Sequence, residues 1–117
     1  MPDAIDVTPK DWTEISVLYD DGMYSVIWGR FRHNRIKSLG VRWNGGAGEK
    51  GYPSFGKYPL WYREADFLDV PILRGLLEKH QGATESPNTA AYIRRVEIAL
   101  KEAEMQATGV HSSAFSM

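Results

Sequence analysis

Residues 14–28 read EISVLYDDGMYSVIW, and this stretch decides the fold. On both sides of Asp21-Gly22, large apolar side chains alternate with smaller or polar ones, which is the period of a β-strand. Asp-Gly is a preferred residue pair in the tight type I′ turns that join hairpin strands. The stretch therefore predicts two antiparallel strands that meet at Asp21-Gly22.

One face of this hairpin is predicted to be apolar, because pairing across the turn sets Tyr19 beside Tyr24. A third strand is predicted at 38–43, where the same alternation adds three large side chains to that face. We expect the face to form the core, and it contains nine residues: Ile15, Val17, Tyr19, Tyr24, Val26, Trp28, Leu39, Val41 and Trp43.

The second half of the chain changes to helical period. Asp69 is predicted to cap a helix that ends near Gln81, and Ser86-Pro87 to start a longer helix. Residues 60–63 are apolar and aromatic enough for a short fourth strand. The prediction is an α+β fold, in which an antiparallel three- or four-stranded β-meander carries two C-terminal α-helices packed on one of its faces.

The length of 117 residues fits a single domain that spans the whole chain. Within it we expect an N-terminal segment at 1–12, a Gly-rich loop at 44–59 and a flexible tail at 110–117. The chain has no cysteine, which excludes disulfides and thiolate chemistry. No apolar run approaches the ~18 residues that a membrane span requires, and the polar start does not resemble a secretory signal. We therefore expect a cytoplasmic protein with no membrane partner.

Catalytic and metal-binding patterns are weak in this sequence. His33, His80 and His111 lack the spacing of metal ligands, and we expect each of them to be a solvated surface residue. The prediction is a protein with no catalytic residues, no metal site and no cofactor. A small enzyme of unknown reaction, with a pocket between the Gly-rich loop and the helices, stays open as an alternative.

Charge is distributed unevenly along the chain. Residues 1–29 carry six acids against one lysine, and residues 30–63 carry eight bases against one glutamate. Such a division suits an anionic ligand or a head-to-tail contact. Aromatic side chains lie between the arginines, as in proteins that hold single-stranded nucleic acid. Trp28 and Trp43 are already assigned to the core, so nucleic-acid binding is only a lesser alternative.

The Gly-rich loop is the first candidate for a binding site. Loops longer than about 12 residues in compact domains are usually functional or disordered, and glycines let the backbone approach a ligand. A connector role and a core role for the loop aromatics both stay open. If a small ligand binds here, we expect Arg42 to anchor its charge and four aromatic residues to form the walls: Trp43, Tyr52, Phe55 and Trp61.

The second face of the sheet is the candidate for self-association. It presents small residues around three large apolar ones, Leu18, Ile27 and Phe31. In water these three would form an unusual apolar patch. We predict a homo-oligomer, with a two-fold dimer as the commonest arrangement. Coverage of the same face by a helix or by the Gly-rich loop is the alternative.

Three sequence motifs carry a resemblance: Leu18–Gly22, Leu39–Gly45 and Gly51–Pro53. Together they resemble short bacterial proteins of the kind carried on mobile integron gene cassettes. The resemblance covers roughly residues 14–77 and leaves out the last predicted helix. It implies a bacterial origin and a compact α+β unit, and it implies no activity, so no catalytic residue follows from it.

Overall fold

The computed structural model describes residues 11–32, 34–44, 51–52, 54–55, 58–59, 61–82 and 87–107. The chain divides into two compact units, Met1–Asp66 and Phe67–Met117. In its described part, the first unit contains six strands: β1 (Trp12–Asp20), β2 (Tyr24–Phe31), β3 (Ser38–Trp43), β4 (Ser54–Phe55), β5 (Tyr58–Pro59) and β6 (Tyr62–Arg63). The described residues of the second unit contain two α-helices: α1 (Asp69–Gln81) and α2 (Pro87–Met105).

The main sheet has four antiparallel strands in the order β1-β2-β3-β6. The predicted α+β class and the predicted fourth strand are therefore confirmed. Strands β4 and β5 pair separately, within the segment that the sequence assigned to the Gly-rich loop. Residues 1–10 and 108–117, and with them most of the expected N-terminal segment and tail, lie outside the described residues. The single domain stays a prediction.

The β1–β2 turn lies where the Asp-Gly pair predicts it, with its central residues one position further along. Gly22 adopts a positive φ of 89°, and the backbone N–H of Asp21 donates to the carbonyl of Tyr24 at 3.2 Å. The Asp21 carboxylate accepts from the backbone N–H groups of Met23 and Tyr24, each at 2.8 Å. Asp20 accepts from the N–H of Gly22 at 2.9 Å. Both carboxylates therefore close the turn.

The register of β1 shifts between Val17 and Tyr19. Tyr19 pairs with Val26, but Val17 pairs with Ile27. Directly paired residues share a face of the sheet, and neighbouring residues along β2 do not. Val17 therefore belongs to the second face, and its assignment to the predicted nine-residue core is wrong. The cause is an irregularity of the bulge type, which changes the face of every residue before it.

A second register shift lies between Thr13 and Ser16. Glu14 adopts a positive φ of 53° there, a conformation that non-glycine residues rarely take. Ile15, the next residue, is 39% exposed. Its predicted place in the core is wrong, because the bulge removes it from the regular alternation.

The first face retains a smaller core than predicted. Val26, Trp28 and Leu39 are buried there, as expected. Val41 is only half-buried, and Trp43 is exposed. On the first face, the end of β3 that carries Trp43 is therefore exposed to solvent.

The second face carries a hydrophobic cluster of its own. Trp12, Ile27 and Trp61 are buried together, with Val17 and Phe31 packed against them. Trp12 belongs to β1, although the sequence assigned it to the N-terminal segment. The predicted patch of Leu18, Ile27 and Phe31 is thus not exposed: Leu18 and Ile27 are fully buried and Phe31 is half-buried.

Both predicted helices start where the sequence indicates. Helix α1 begins at Asp69, but a 3-10 turn leads into it, so Leu68 takes the cap position and no side chain caps the helix. The predicted capping role of Asp69 is therefore wrong. Helix α2 begins at Pro87, as the proline at the first helical position predicts.

The two helices follow one another along the chain and pack side by side in opposite directions. His80 of α1 stacks on Tyr92 of α2 with ring centroids 5.2 Å apart, and Arg74 pairs with Glu104 at 3.1 Å. His80 is buried, so the expectation that it is a solvated surface residue is wrong.

We predict that Gly40→Ala destabilises the protein by about 1–3 kcal/mol, the usual cost of overpacking a core. A methyl group at Gly40 would lie 2.9 Å from both Ile27 Cγ1 and Trp12 Cη2. Gly75→Ala is the matched control, because Gly75 lies in α1 and a methyl group there meets nothing within 4 Å. It is expected to stabilise α1 by up to ~1 kcal/mol. Urea unfolding measures both, and equal stability of the two variants would contradict the packing of Trp12 on Gly40.

Candidate functional site

The structure brings two of the five predicted ligand residues together. Trp43 and Tyr52 form an isolated antiparallel bridge, in which each backbone N–H donates to the other residue's carbonyl at 2.7 Å. Residues paired in this way direct their side chains to the same face. Trp43 and Tyr52 are therefore neighbours on one surface.

Gly51 makes this bridge possible. Its φ is +78°, in the region that favours glycine. A Cβ atom at this position would collide with the Trp43 carbonyl and with the Arg42 guanidinium. The chain can therefore approach β3 this closely only through a glycine.

A third aromatic residue extends this surface. Tyr62 pairs with Val41, two residues before Trp43, so it lies on the same face of the sheet as Trp43. The exposed fractions are 57% for Trp43, 69% for Tyr52 and 55% for Tyr62. We name these three residues the aromatic surface. Tyr24 supports it from β2, with its ring centroid 4.6 Å from that of Trp43 and the ring planes tilted by 53°.

Arg42 and Trp61 do not belong to the aromatic surface. Arg42 lies on the second face of the sheet, because its side chain alternates with that of Trp43. Trp61 is part of the buried cluster with Trp12 and Ile27, and its indole N–H has no hydrogen-bond partner among the described residues. The side chain of Phe55 lies outside the described residues. The five predicted residues therefore do not form one surface site, and their role in ligand binding stays a prediction.

Arg42 belongs to a row of polar residues in which Ser25 and Asn44 are also fully buried and Asp20 is half-buried. Asp20, Ser25 and Arg42 lie side by side on β1, β2 and β3. The Arg42 guanidinium donates through Nε to the Asn44 side-chain oxygen at 3.2 Å, and the Asn44 amide donates to the Ser25 hydroxyl at 2.8 Å. The Ser25 hydroxyl donates to Asp20 at 3.2 Å. This polar row joins the turn to the end of β3.

Burial determines what Arg42 can do. Its side chain is fully buried, and this desolvation lowers the pKa of its guanidinium from the ordinary value of 12.5. A guanidinium nevertheless stays protonated at neutral pH. Its hydrogen bond to Asn44 helps to hold the polar row in place, which is a structural role. Because the Arg42 side chain is fully buried, a ligand on the aromatic surface cannot contact it directly.

The phenols near the aromatic surface are weak acids. Burial, and then the hydrogen bond to Asp21, raise the pKa of Tyr19 to about 12. Burial, and then the negative charge of Glu64, raise the pKa of Tyr24 above its ordinary value of 10. The Tyr19 hydroxyl donates to the Asp21 carboxylate at 2.8 Å.

Sequence reasoning missed Tyr24 and Tyr62 as site residues. Tyr24 was assigned to the interior, although it lies at the exposed end of β2. The sequence pointed to Trp61 as a wall, but the adjacent residue Tyr62 occupies the face of Trp43. The pairing of β6 with β3 was the information needed, since a shift of one residue changes the face.

The comparisons add no family to these observations. Comparison of the chain with protein-family models, with curated proteins and with solved structures finds no match. Within the described part of the chain, no group of three or more His, Asp or Glu side chains is placed to hold a metal ion. No helix in the same part is long and apolar enough to cross a membrane.

We predict that Trp43 alone accounts for the tryptophan fluorescence that acrylamide quenches readily. Trp12, Trp28 and Trp61 are each 6% exposed or less. Trp43→Phe is expected to remove the quenchable fraction, whereas Trp28→Phe, the buried control, is expected to keep it. Readily quenched emission that persists in Trp43→Phe would show that another tryptophan is accessible.

Proposed function

We propose that this chain is a non-enzymatic binding module, and that it binds a small molecule on the aromatic surface of Trp43, Tyr52 and Tyr62. One observation carries the proposal: three large rings, each more than half exposed, lie on one face at one end of the sheet. Grouped exposed aromatic rings are unusual on a monomer surface and mark binding sites. Aromatic side chains also provide large contact areas at low entropic cost.

The chemistry of this surface supports binding better than catalysis. Tyr24 contributes a phenol hydroxyl, and a tyrosine hydroxyl is protonated near neutral pH and does not act as a base there. Rings and phenols supply stacking and hydrogen bonds, but no activated nucleophile. The small enzyme predicted as an alternative would need its reacting groups elsewhere.

Two other proposals from the sequence lose support. The predicted dimer relied on Leu18, Ile27 and Phe31, and two of these three are fully buried within the chain. Nucleic-acid binding relied on rings lying between basic residues, but Trp28 is buried and Arg42 lies on the opposite face from Trp43. This leaves the Arg32 guanidinium over the half-buried Phe31, at 5.0 Å from the ring centroid. Both stay untested predictions.

A metabolite panel tests the proposal by thermal shift. We expect at least one compound to raise the melting temperature of the wild-type chain, and Trp43→Ala with Tyr52→Ala to abolish that shift, because both rings of the bridge are lost. Phe67→Ala is the matched control, since Phe67 is an exposed ring in the other unit and its removal is expected to leave the shift unchanged.

The double variant must first give the circular dichroism spectrum of the wild type. If it folds and still shows the full shift, the aromatic surface is not the binding site. If no compound in a panel that includes cations, anions, sugars and aromatic metabolites shifts the wild type, the proposal is also overturned.

A further inference from the structure

The aromatic surface has an electrostatic preference that its geometry sets. An aromatic ring carries negative potential on its faces and positive potential on its edge. Tyr24 and Trp43 are tilted by 53° at a centroid distance of 4.6 Å, so they are not stacked in parallel, and Trp43 is 57% exposed. Tyr52 and Tyr62 add two further exposed rings on the same side. A cation is attracted to such ring faces.

Acidic side chains accompany these rings. The backbone N–H of Glu64 donates to the Leu39 carbonyl at 2.9 Å, which continues the pairing of β6 with β3 beyond Tyr62. Alternation along the strand then puts Glu64 on the face of Tyr62. Glu64 lies opposite Leu39, and its negative charge adds to burial in raising the pKa of Tyr24. Asp21 adds a second carboxylate at the backbone of Tyr24.

The described basic residues nearby are directed elsewhere. Arg42, the neighbour of Trp43, points to the opposite face and is fully buried. Arg63, the neighbour of Tyr62, also lies on the opposite face, where it donates to Ser38 at 3.1 Å and pairs with Asp66 at 3.3 Å. The rings therefore share their face with the Glu64 carboxylate, whereas the two basic neighbours of these rings along the chain lie on the opposite face. This charge complementarity favours a positively charged occupant.

We infer that the aromatic surface binds an organic cation, an alkylated ammonium group that contacts the faces of Trp43, Tyr52 and Tyr62 with the carboxylate of Glu64 nearby. This inference rests on the proposed function and specifies its ligand class. Alkylated ammonium groups suit open aromatic surfaces, because their charge is spread over methyl groups that lose little hydration. A metal ion or a bare ammonium would have to give up tightly held water.

Choline and 3,3-dimethylbutan-1-ol test the inference, because they have nearly the same shape and only choline is charged. Each is titrated into the ¹⁵N-labelled chain, and the amide signals of Tyr52, Tyr62 and Glu64 are followed. We expect choline to bind about two- to fivefold more tightly than the neutral alcohol, the ratio that an exposed cation–π contact provides. The indole signal of Trp43 should shift with the same dissociation constant.

Variants separate the rings from the carboxylate. Trp43→Ala is expected to abolish the choline response, and Glu64→Gln to weaken choline binding about two- to fivefold with no effect on the alcohol, a size typical of a partly exposed charge pair. Glu97→Gln is the matched control, since Glu97 is an exposed acid on α2 and its replacement is expected to change nothing.

The outcomes distinguish this inference from the proposed function. Equal affinities for choline and the alcohol at the Trp43 signals would overturn the cation preference and leave the binding surface in place. If choline gives no response but a panel compound still binds and requires Trp43 and Tyr52, the cation preference is likewise overturned and the binding surface is kept. A choline response that survives in a folded Trp43→Ala variant would overturn the site itself.

Discussion

The pairing of β1 with β2 is the constraint on which the rest of the sheet depends. Two register shifts in β1 leave Tyr19 beside Val26 but set Val17 beside Ile27. Because side chains alternate along a strand, each shift exchanges the faces of all the residues that precede it. The result is a sheet with buried residues on both faces, Val26 and Trp28 on one and Ile27 on the other. The exposed Trp43 lies on the first face, at the end of β3.

The polar row fixes that end of the sheet. A buried guanidinium is costly unless its hydrogen bonds are supplied, and Arg42 receives one of its acceptors from Asn44. Asn44 is tied back to β2 through Ser25, and its backbone N–H donates to the carbonyl of Met23 at 2.6 Å. The turn and the last residues of β3 are therefore held together from the second face. This support gives the rings on the first face a rigid base, which lowers the entropic cost of binding to them.

Much of the fold followed from local sequence patterns. The alternation of β2 and β3 and Pro87 at the start of α2 depend on residues close together in the chain, and the structure agrees with both. The Asp-Gly pair predicted where the turn lies, but the turn is centred one residue later, so Tyr19 pairs with Val26 and not with Tyr24 as predicted. The shift between Thr13 and Ser16 could not be predicted, because the left-handed residue there is Glu14 and glutamate gives no signal for that conformation. The separate shift between Val17 and Tyr19 lies at Leu18, which gives no signal for a bulge either. Strand alternation therefore predicted the wrong face for Val17.

The candidate site was predicted only in part for a related reason. Trp43 and Tyr52 were both identified, but their contact depends on a bridge across nine residues of chain and on the positive φ of Gly51. Tyr62 joins them only through the pairing of β6 with β3, which no local pattern specifies. Arg42 was identified from its charge, whereas its burial follows from its position on the second face.

A nuclear Overhauser spectrum of the backbone and aromatic protons tests the register of β1 most directly. The structure predicts cross-peaks between the backbone protons of Val17 and Ile27, together with contacts from the Trp12 indole ring to the α-protons of Gly40. Cross-peaks that instead pair Val17 with Val26, with no contact between Trp12 and Gly40, would show that β1 is a regular strand without register shifts. That result would contradict the division of the sheet into two buried faces and an exposed aromatic end.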